Sequence, residues 1–373
     1  MTIRYLDPRS GATWPLELPR WCGDDGQPLL LQPMPGISRG QVDGAVRSLW
    51  RYRAAFPFAV DEPITMGEGC TPLLERRMYG GRCLLKCEWF MPTGSFKDRG
   101  ASVMLSLLRA QGVREVLEDS SGNGGAAVSA YAAAGGMRAT IMTPDSTIPA
   151  KTVQMRAHGA TVELVPGTRQ QTSEAAEARA ASVFYASHNW HPFFLHGTKT
   201  LAYELWEDMG FRTPDHVVIP CGAGSNVLGC DIGFHELWRA GAIDRLPRLW
   251  AAQPAHCGPI GAAVLGIEAG PVQPTIAEGT AIAAPIRLVE VVEALRGSGG
   301  GAVLLSEAEI ETETLALARA GIYVEPTCAQ AAAAYRRLLV GGQIGAAEAT
   351  VLVLTGTGLK ATPRIAELLD LGL

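Results

Sequence analysis

The sequence predicts an α/β protein built on parallel sheets. Two observations carry that expectation. Short apolar runs alternate with segments of helical period, and the 43 glycines cluster after such runs, at residues 94–100, 122–125, 222–229, 297–301 and 356–358. Strands alternating with helices imply βαβ units. Ligands of such sheets sit beyond the carboxyl ends of the strands, where glycine lets the backbone approach them.

Taken in order, residues 1–66 read as irregular, apart from a helical pattern over 38–56 (Val42, Val46, Leu49, Trp50). Residues 83–88 read as a strand. A helix over 96–111 follows, with Ser95 as its N-cap and Gly112 as its stop. Then come a strand at 115–119, a helix at 126–134 closed by Gly135 and Gly136, a strand at 140–142, a helix at 151–158, a strand at 161–165 and a helix at 171–182. Residues 217–219 and 350–354 are continuous apolar runs, the pattern of strands buried on both faces.

Composition narrows the class. With 373 residues, 32 basic and 37 acidic side chains, the net charge is −5. That length suits two domains and buries an ample core without disulfides. The acidic balance argues against nucleic acid, whose phosphates demand a basic face. Arg138, Asp231 and glycines interrupt the apolar stretches short of the roughly 18 residues of a membrane span, and the start lacks the apolar region of a signal peptide. Eight cysteines without a C-x-x-C pair read as reduced thiols in the cytosol. Cys83 and Cys87 lack matching zinc ligands, and the seven histidines form no H-E-x-x-H pattern.

Four short stretches could carry chemistry. Lys97 lies in residues 92–100 on the first turn of a helix, where the dipole disfavours a cation and lowers its pKa. A lysine that reacts as a neutral amine needs that property; the bland alternative is a surface lysine paired with Asp98. Ser120, Ser121, Gly122, Asn123 and Gly124 lead into a helix whose free amides suit a carboxylate, with Asn123 able to reach a phenolic oxygen; plain capping by Ser120 or Ser121 is the alternative. Gly222, Ala223, Gly224, Ser225 and Asn226 form a loop after a buried strand, an anion nest without the lysine of a nucleotide-binding P-loop. Thr355 ends the last apolar run with a hydroxyl able to bond a heteroaromatic nitrogen. Together a lysine, an anion nest, a carboxylate cradle and a hydroxyl match pyridoxal phosphate and an amino acid.

In these stretches the chain resembles the fold type II pyridoxal-phosphate enzymes, and within them the threonine synthases. Residues 67–73 look like the family's entry motif, 92–100 its lysine motif, 120–123 its asparagine loop, 222–226 its phosphate loop, and 321–327 and 355–360 its C-terminal landmarks. The resemblance implies that Lys97 forms the Schiff base, with Phe96, Asn123, the 222–226 loop and Thr355 around the cofactor and residues 120–124 around the substrate carboxylate. It implies two three-layer α/β/α domains with the cofactor between them, 1–98 with 200–373 as the large one (1–60 an N-terminal extension) and 99–199 as the small one. A homodimer acting on a small amino acid, without membrane or nucleic-acid partners, completes the expectation. One stretch departs from the family. Its Asn-Pro-x-Arg-x-x-Gly-x-Lys-Thr pattern is here residues 191–200, with Phe194 where the phosphate-gripping arginine stands and His191 and His196 nearby. Met91 also replaces an asparagine.

The expected reaction is therefore α-proton abstraction by Lys97, then β- or γ-elimination or replacement of an activated side-chain group. A true threonine synthase acting on O-phosphohomoserine and a serine/threonine dehydratase-like deaminase are the nearest alternatives. A non-catalytic pyridoxal-phosphate-binding homologue and a nicotinamide-dependent dehydrogenase are the readings of a different class. The last needs an acidic residue about 20 positions beyond its glycines, for which Asp244 is a poor candidate.

Overall fold

The computed structural model describes residues 2–147 and 149–371. Near the N-terminus, β1 (Arg4–Leu6), β2 (Thr13–Pro15) and β3 (Leu30–Leu31) form a small antiparallel sheet. The hairpin β4 (Leu73–Met78) and β5 (Gly81–Cys87) follows, then α1 (Lys97–Ala110), β6 (Glu115–Glu118), α2 (Asn123–Ala134), β7 (Arg138–Pro144), α3 (Pro149–Ala157), β8 (Thr161–Val165), α4 (Arg169–Arg179) and β9 (Phe184–Tyr185). Strands β6 to β9 make a parallel four-stranded sheet in the order β8-β7-β6-β9.

The chain continues through α5 (Pro192–Thr198), α6 (Thr200–Asp208), β10 (His216–Pro220), α7 (Ser225–Arg239), β11 (Arg248–Pro254), α8 (Pro259–Leu265), α9 (Leu288–Gly297), β12 (Gly301–Leu305), α10 (Glu307–Arg319), α11 (Pro326–Val340), β13 (Thr350–Leu354) and α12 (Thr362–Leu368). The larger sheet has the order β12-β11-β10-β13-β5-β4, parallel except for β4.

Both sheets are covered on two faces, which is why their strands read as unbroken apolar runs. In the larger one, Val217, Ile219, Val351 and Val353 pack with Val227 and Phe234 of α7. Their alternates Val218, Leu352 and Leu354 pack with Ala329 and Tyr335 of α11. In the smaller one, Val116 and Ile141 face Met104 of α1 and Tyr131 of α2, while Leu117 and Met142 face Ala176 of α4 and Trp190.

Several expectations need correcting. Residues 38–56 form no α-helix but two 3-10 segments, Arg39–Gln41 and Leu49–Ala55. Gly40 and Gly44 weaken a continuous helix there, and Tyr52 leaves the helical region at φ −99°, ψ 19°. Ser95 is not the cap of α1: Phe96 holds that position without a side-chain hydrogen bond, and Ser95 Oγ is buried without a partner. The second helix starts at Asn123 rather than Ala126, and the fourth spans Arg169–Arg179. Strands β1 to β3 fall in the stretch read as irregular; at two or three residues each they are too short to show a period. No helix of the described residues is long and apolar enough to cross a membrane.

Candidate active site

Strands β10, β13 and β5 are parallel neighbours. Their carboxyl ends therefore bring three of the sequence motifs side by side. After β5 the chain runs to Lys97; after β13 it reaches Thr355 and Gly356; after β10 it enters the loop 222–226. The Phe96 amide donates to the Thr355 carbonyl at 2.9 Å, and Ser95 pairs with Gly356, so the lysine segment is tied to the β13 end.

The loop is shaped for an anion. Gly224 caps α7 at φ +91°, a left-handed conformation that glycine adopts without steric cost. No acceptor among the described residues takes the amide protons of residues 222–226. Asn226 is buried, and neither its Oδ1 nor its Nδ2 has a partner. Buried polar atoms are normally satisfied; five amides at a helix N-terminus beside an unsatisfied carboxamide make a donor set that fits a phosphate.

Lys97 is half-buried, and its Nζ lies 4.8 Å from the centre of the Phe96 ring and 5.6 Å from that of Phe194. It is not paired with Asp98. That carboxylate turns away and accepts the Thr93 amide at 2.7 Å and the Thr93 hydroxyl. Burial lowers the Lys97 amine to about 8, against the opposing pull of Glu118 and Glu325 and with help from Arg169. The direction is the one the sequence suggests, but desolvation rather than the helix dipole is its leading cause.

Asn123 opens α2. Its Nδ2 donates to Glu325 Oε1 at 3.1 Å, and its Oδ1 accepts Lys360 Nζ at 3.0 Å. A Cβ on Gly356 would stand 3.3 Å from Asn123 Nδ2, which places Asn123 against the β13 loop. Thr355 is buried, with its hydroxyl 3.4 Å from the Cys328 thiol, itself held neutral by burial. Neither serine caps α2: Gly122 holds the N-cap, and Ser120 Oγ only accepts the Gly122 amide at 3.4 Å.

Sequence reasoning missed three residues here. Glu118, at the end of β6, is fully buried, and its Oε1 lies 2.8 Å from His188 Nδ1. Burial pushes Glu118 up to about 7 and His188 well below its ordinary value. Arg169, first residue of α4, is half-buried; its charge acts on Lys97, Glu118 and His188. Conversely, His191 and His196 are packing residues. His191 Nδ1 accepts the Phe193 amide at 3.2 Å to cap α5, and burial takes its pKa to about 3. Burial likewise keeps His196 neutral. Phe194 is fully buried, and its ring fills the space a side chain at Gly100 would need.

A family model described as "Pyridoxal-phosphate dependent enzyme" matches residues 64–356. Among curated proteins, the threonine synthase of Methanocaldococcus jannaschii is 32% identical over 326 residues, covering 84% of this chain and 80% of that protein. That of Mycobacterium leprae is 33% identical over 339 residues, covering 88% and 89%. Among solved structures, the processed threonine deaminase isoform 2 of Solanum lycopersicum superposes with a TM-score of 0.70 at 21% identity, covering 96% of each chain. O-ureido-L-serine synthase gives 0.68 at 22%, covering 81% of this chain and 94% of that one. The chain belongs to the pyridoxal-phosphate dependent enzymes, with the type II fold. Within that family it is a lyase-type, threonine synthase-like enzyme of elimination or replacement at an amino-acid side chain.

Proposed function

We propose that the enzyme removes the α-proton of a small amino acid with Lys97 and then expels or replaces a group on that amino acid's side chain. The observation that carries this reading is an amine of lowered basicity, without an ion pair, at the strand ends that also carry an anion nest. Pyridoxal phosphate supplies an aldehyde that condenses with amines and a ring that withdraws electrons from Cα. Lys97 is the amine that would hold it and, when free, would serve as the base near neutral pH. The amides of Gly222, Ala223, Gly224, Ser225 and Asn226, with the Asn226 carboxamide, hold its phosphate; Phe96, Asn123 and the neutral Thr355 hydroxyl line its ring.

Ser120, Ser121, Gly122, Asn123 and Gly124 hold the substrate carboxylate at the head of α2. Residues 99–199 serve as a small substrate-cradling domain, and 1–98 with 200–373 as the larger cofactor-binding one; the four-stranded sheet, drawn wholly from residues 115–185, supports that division. A homodimer in the cytoplasm fits the family resemblance and the eight free cysteines.

Phe194 favours a substrate other than O-phosphohomoserine, because an aromatic ring cannot grip phosphate. The test is a panel of O-phosphohomoserine, threonine, serine, O-phosphoserine and diaminopropionate, read for ammonia, phosphate and keto acid. Ammonia and keto acid from serine, threonine, O-phosphoserine or diaminopropionate support the reading. Phosphate release with threonine formation contradicts the argument from Phe194, and no turnover across the panel contradicts the lyase reading.

A further inference from the structure

Close enough to Lys97 to feel its charge lies a second acid–base pair that the proposed reaction does not use. Glu118 holds His188 twice: Oε1 lies 2.8 Å from Nδ1, and Oε2 accepts the backbone amide at 3.0 Å. The other ring nitrogen, Nε2, has no hydrogen-bond partner among the described residues. The ring lies directly on the head of α2, since a Cβ on Gly124 would come within 2.7 Å of its Cε1 and Nδ1. Its other neighbour is Phe194, ring centres 5.6 Å apart, and Lys97 Nζ is 5.6 Å from that same ring. His188 thus borders the carboxylate cradle on one side and, across one aromatic ring, the lysine on the other. A buried carboxylate at the end of an apolar strand costs stability, whereas Val116, two residues earlier on the same face of β6, packs as an apolar side chain.

We propose that His188, positioned by Glu118, carries the proton at the side-chain end of the substrate, giving it to the departing group and taking it from an incoming nucleophile. This rests on the lyase reading. With a hydroxyl amino acid the departing group is water. The Cα–H electron pair becomes the Cα=Cβ bond and its proton goes to Lys97. The Cβ–O bond breaks with its pair on oxygen, and His188 Nε2–H protonates that oxygen, which leaves as water. Glu118 passes a proton to Nδ1, and the proton on Lys97 returns to the pair through solvent. Burial keeps Glu118 protonated up to about pH 7 and His188 neutral, so the pair holds one transferable proton below that pH. The charges facing it are Lys97 of α1, Asp119 beside Glu118, and Arg169 of α4.

The test compares leaving groups in the holoenzyme. Hydroxide must be protonated to leave; chloride need not be. His188→Gln should lower kcat/KM for L-serine and L-threonine by about 100-fold and that for β-chloro-L-alanine by less than about 3-fold, with the visible cofactor absorption and Tm unchanged. Glu118→Gln, as a second variant, should abolish a fall in rate above about pH 7 that the wild type shows with serine and not with chloroalanine. Equal losses on both kinds of substrate, or none, overturn the proposal, as does a wild type that eliminates chloride but acts on no hydroxyl amino acid. A wild type inert even to β-chloroalanine overturns the lyase reading itself.

Discussion

Lys86 and Lys97 are both withdrawn from bulk water, yet only the first is neutralised. Lys86, fully buried on β5, has its Nζ 2.7 Å from each of three oxygens: Thr71 O, Glu204 Oε1 and Asp208 Oδ2. Arg99 extends the network with bonds of 2.6 and 2.8 Å to Glu88 and 2.9 Å to Glu204. Burial alone would lower the Lys86 amine, but Glu204 and Asp208 outweigh it and raise it. Lys97 has two aromatic faces in place of carboxylates, and its amine falls to about 8. On the proposed reading, the difference separates scaffold from chemistry. A buried cation with a full set of acceptors pins β5 to α6; one denied them is ready to react as a neutral amine.

Two experiments sharpen that contrast. The larger effect belongs to Lys86→Met, which leaves Asp208 without its cation and Glu204 with Arg99 alone and should destabilise the fold by about 3 kcal/mol, read as a lower urea midpoint. The folded fraction should keep its cofactor absorption; lost turnover with stability intact would erase the distinction. The smaller effect is the pH dependence of the cofactor-free protein. Lys97 has a folded pKa of about 8 and an ordinary value of 10.5, so between those values the unfolded chain binds more protons and stability rises with pH. Below about 8 both states hold the proton, and above 10.5 neither does. Lys97→Ala should flatten that rise in a Tm series, whereas an unchanged slope would mean that the amine is not desolvated.

The parts of the candidate site that lie at strand ends were legible in the sequence, and those that only packing brings together were not. Lys97, the 222–226 loop and Thr355 each lie in a local motif at a strand end, and the parallel order of β5, β13 and β10 aligns them. Glu118, Arg169 and His188 come from separate elements, and tertiary packing alone joins them. The consecutive charges Glu118 and Asp119 at the end of an apolar run were the available signal, and they read only as the end of a strand. His191 and His196, which draw the eye in sequence, are turned into the core by the short helix α5. The 38–56 pattern misled because apolar spacing survives in 3-10 turns that glycines keep from becoming a helix.

On the reading proposed here, the amine of residue 97 carries the cofactor. Borohydride reduces a carbon–nitrogen double bond to a stable link, so treatment of the purified holoenzyme, followed by digestion and mass spectrometry, locates the attachment. A reduced pyridoxyl-phosphate adduct is expected on the peptide bearing Lys97, and none in Lys97→Ala. An adduct on Lys360 or another lysine, or none on a protein that still turns over amino acids, would contradict it.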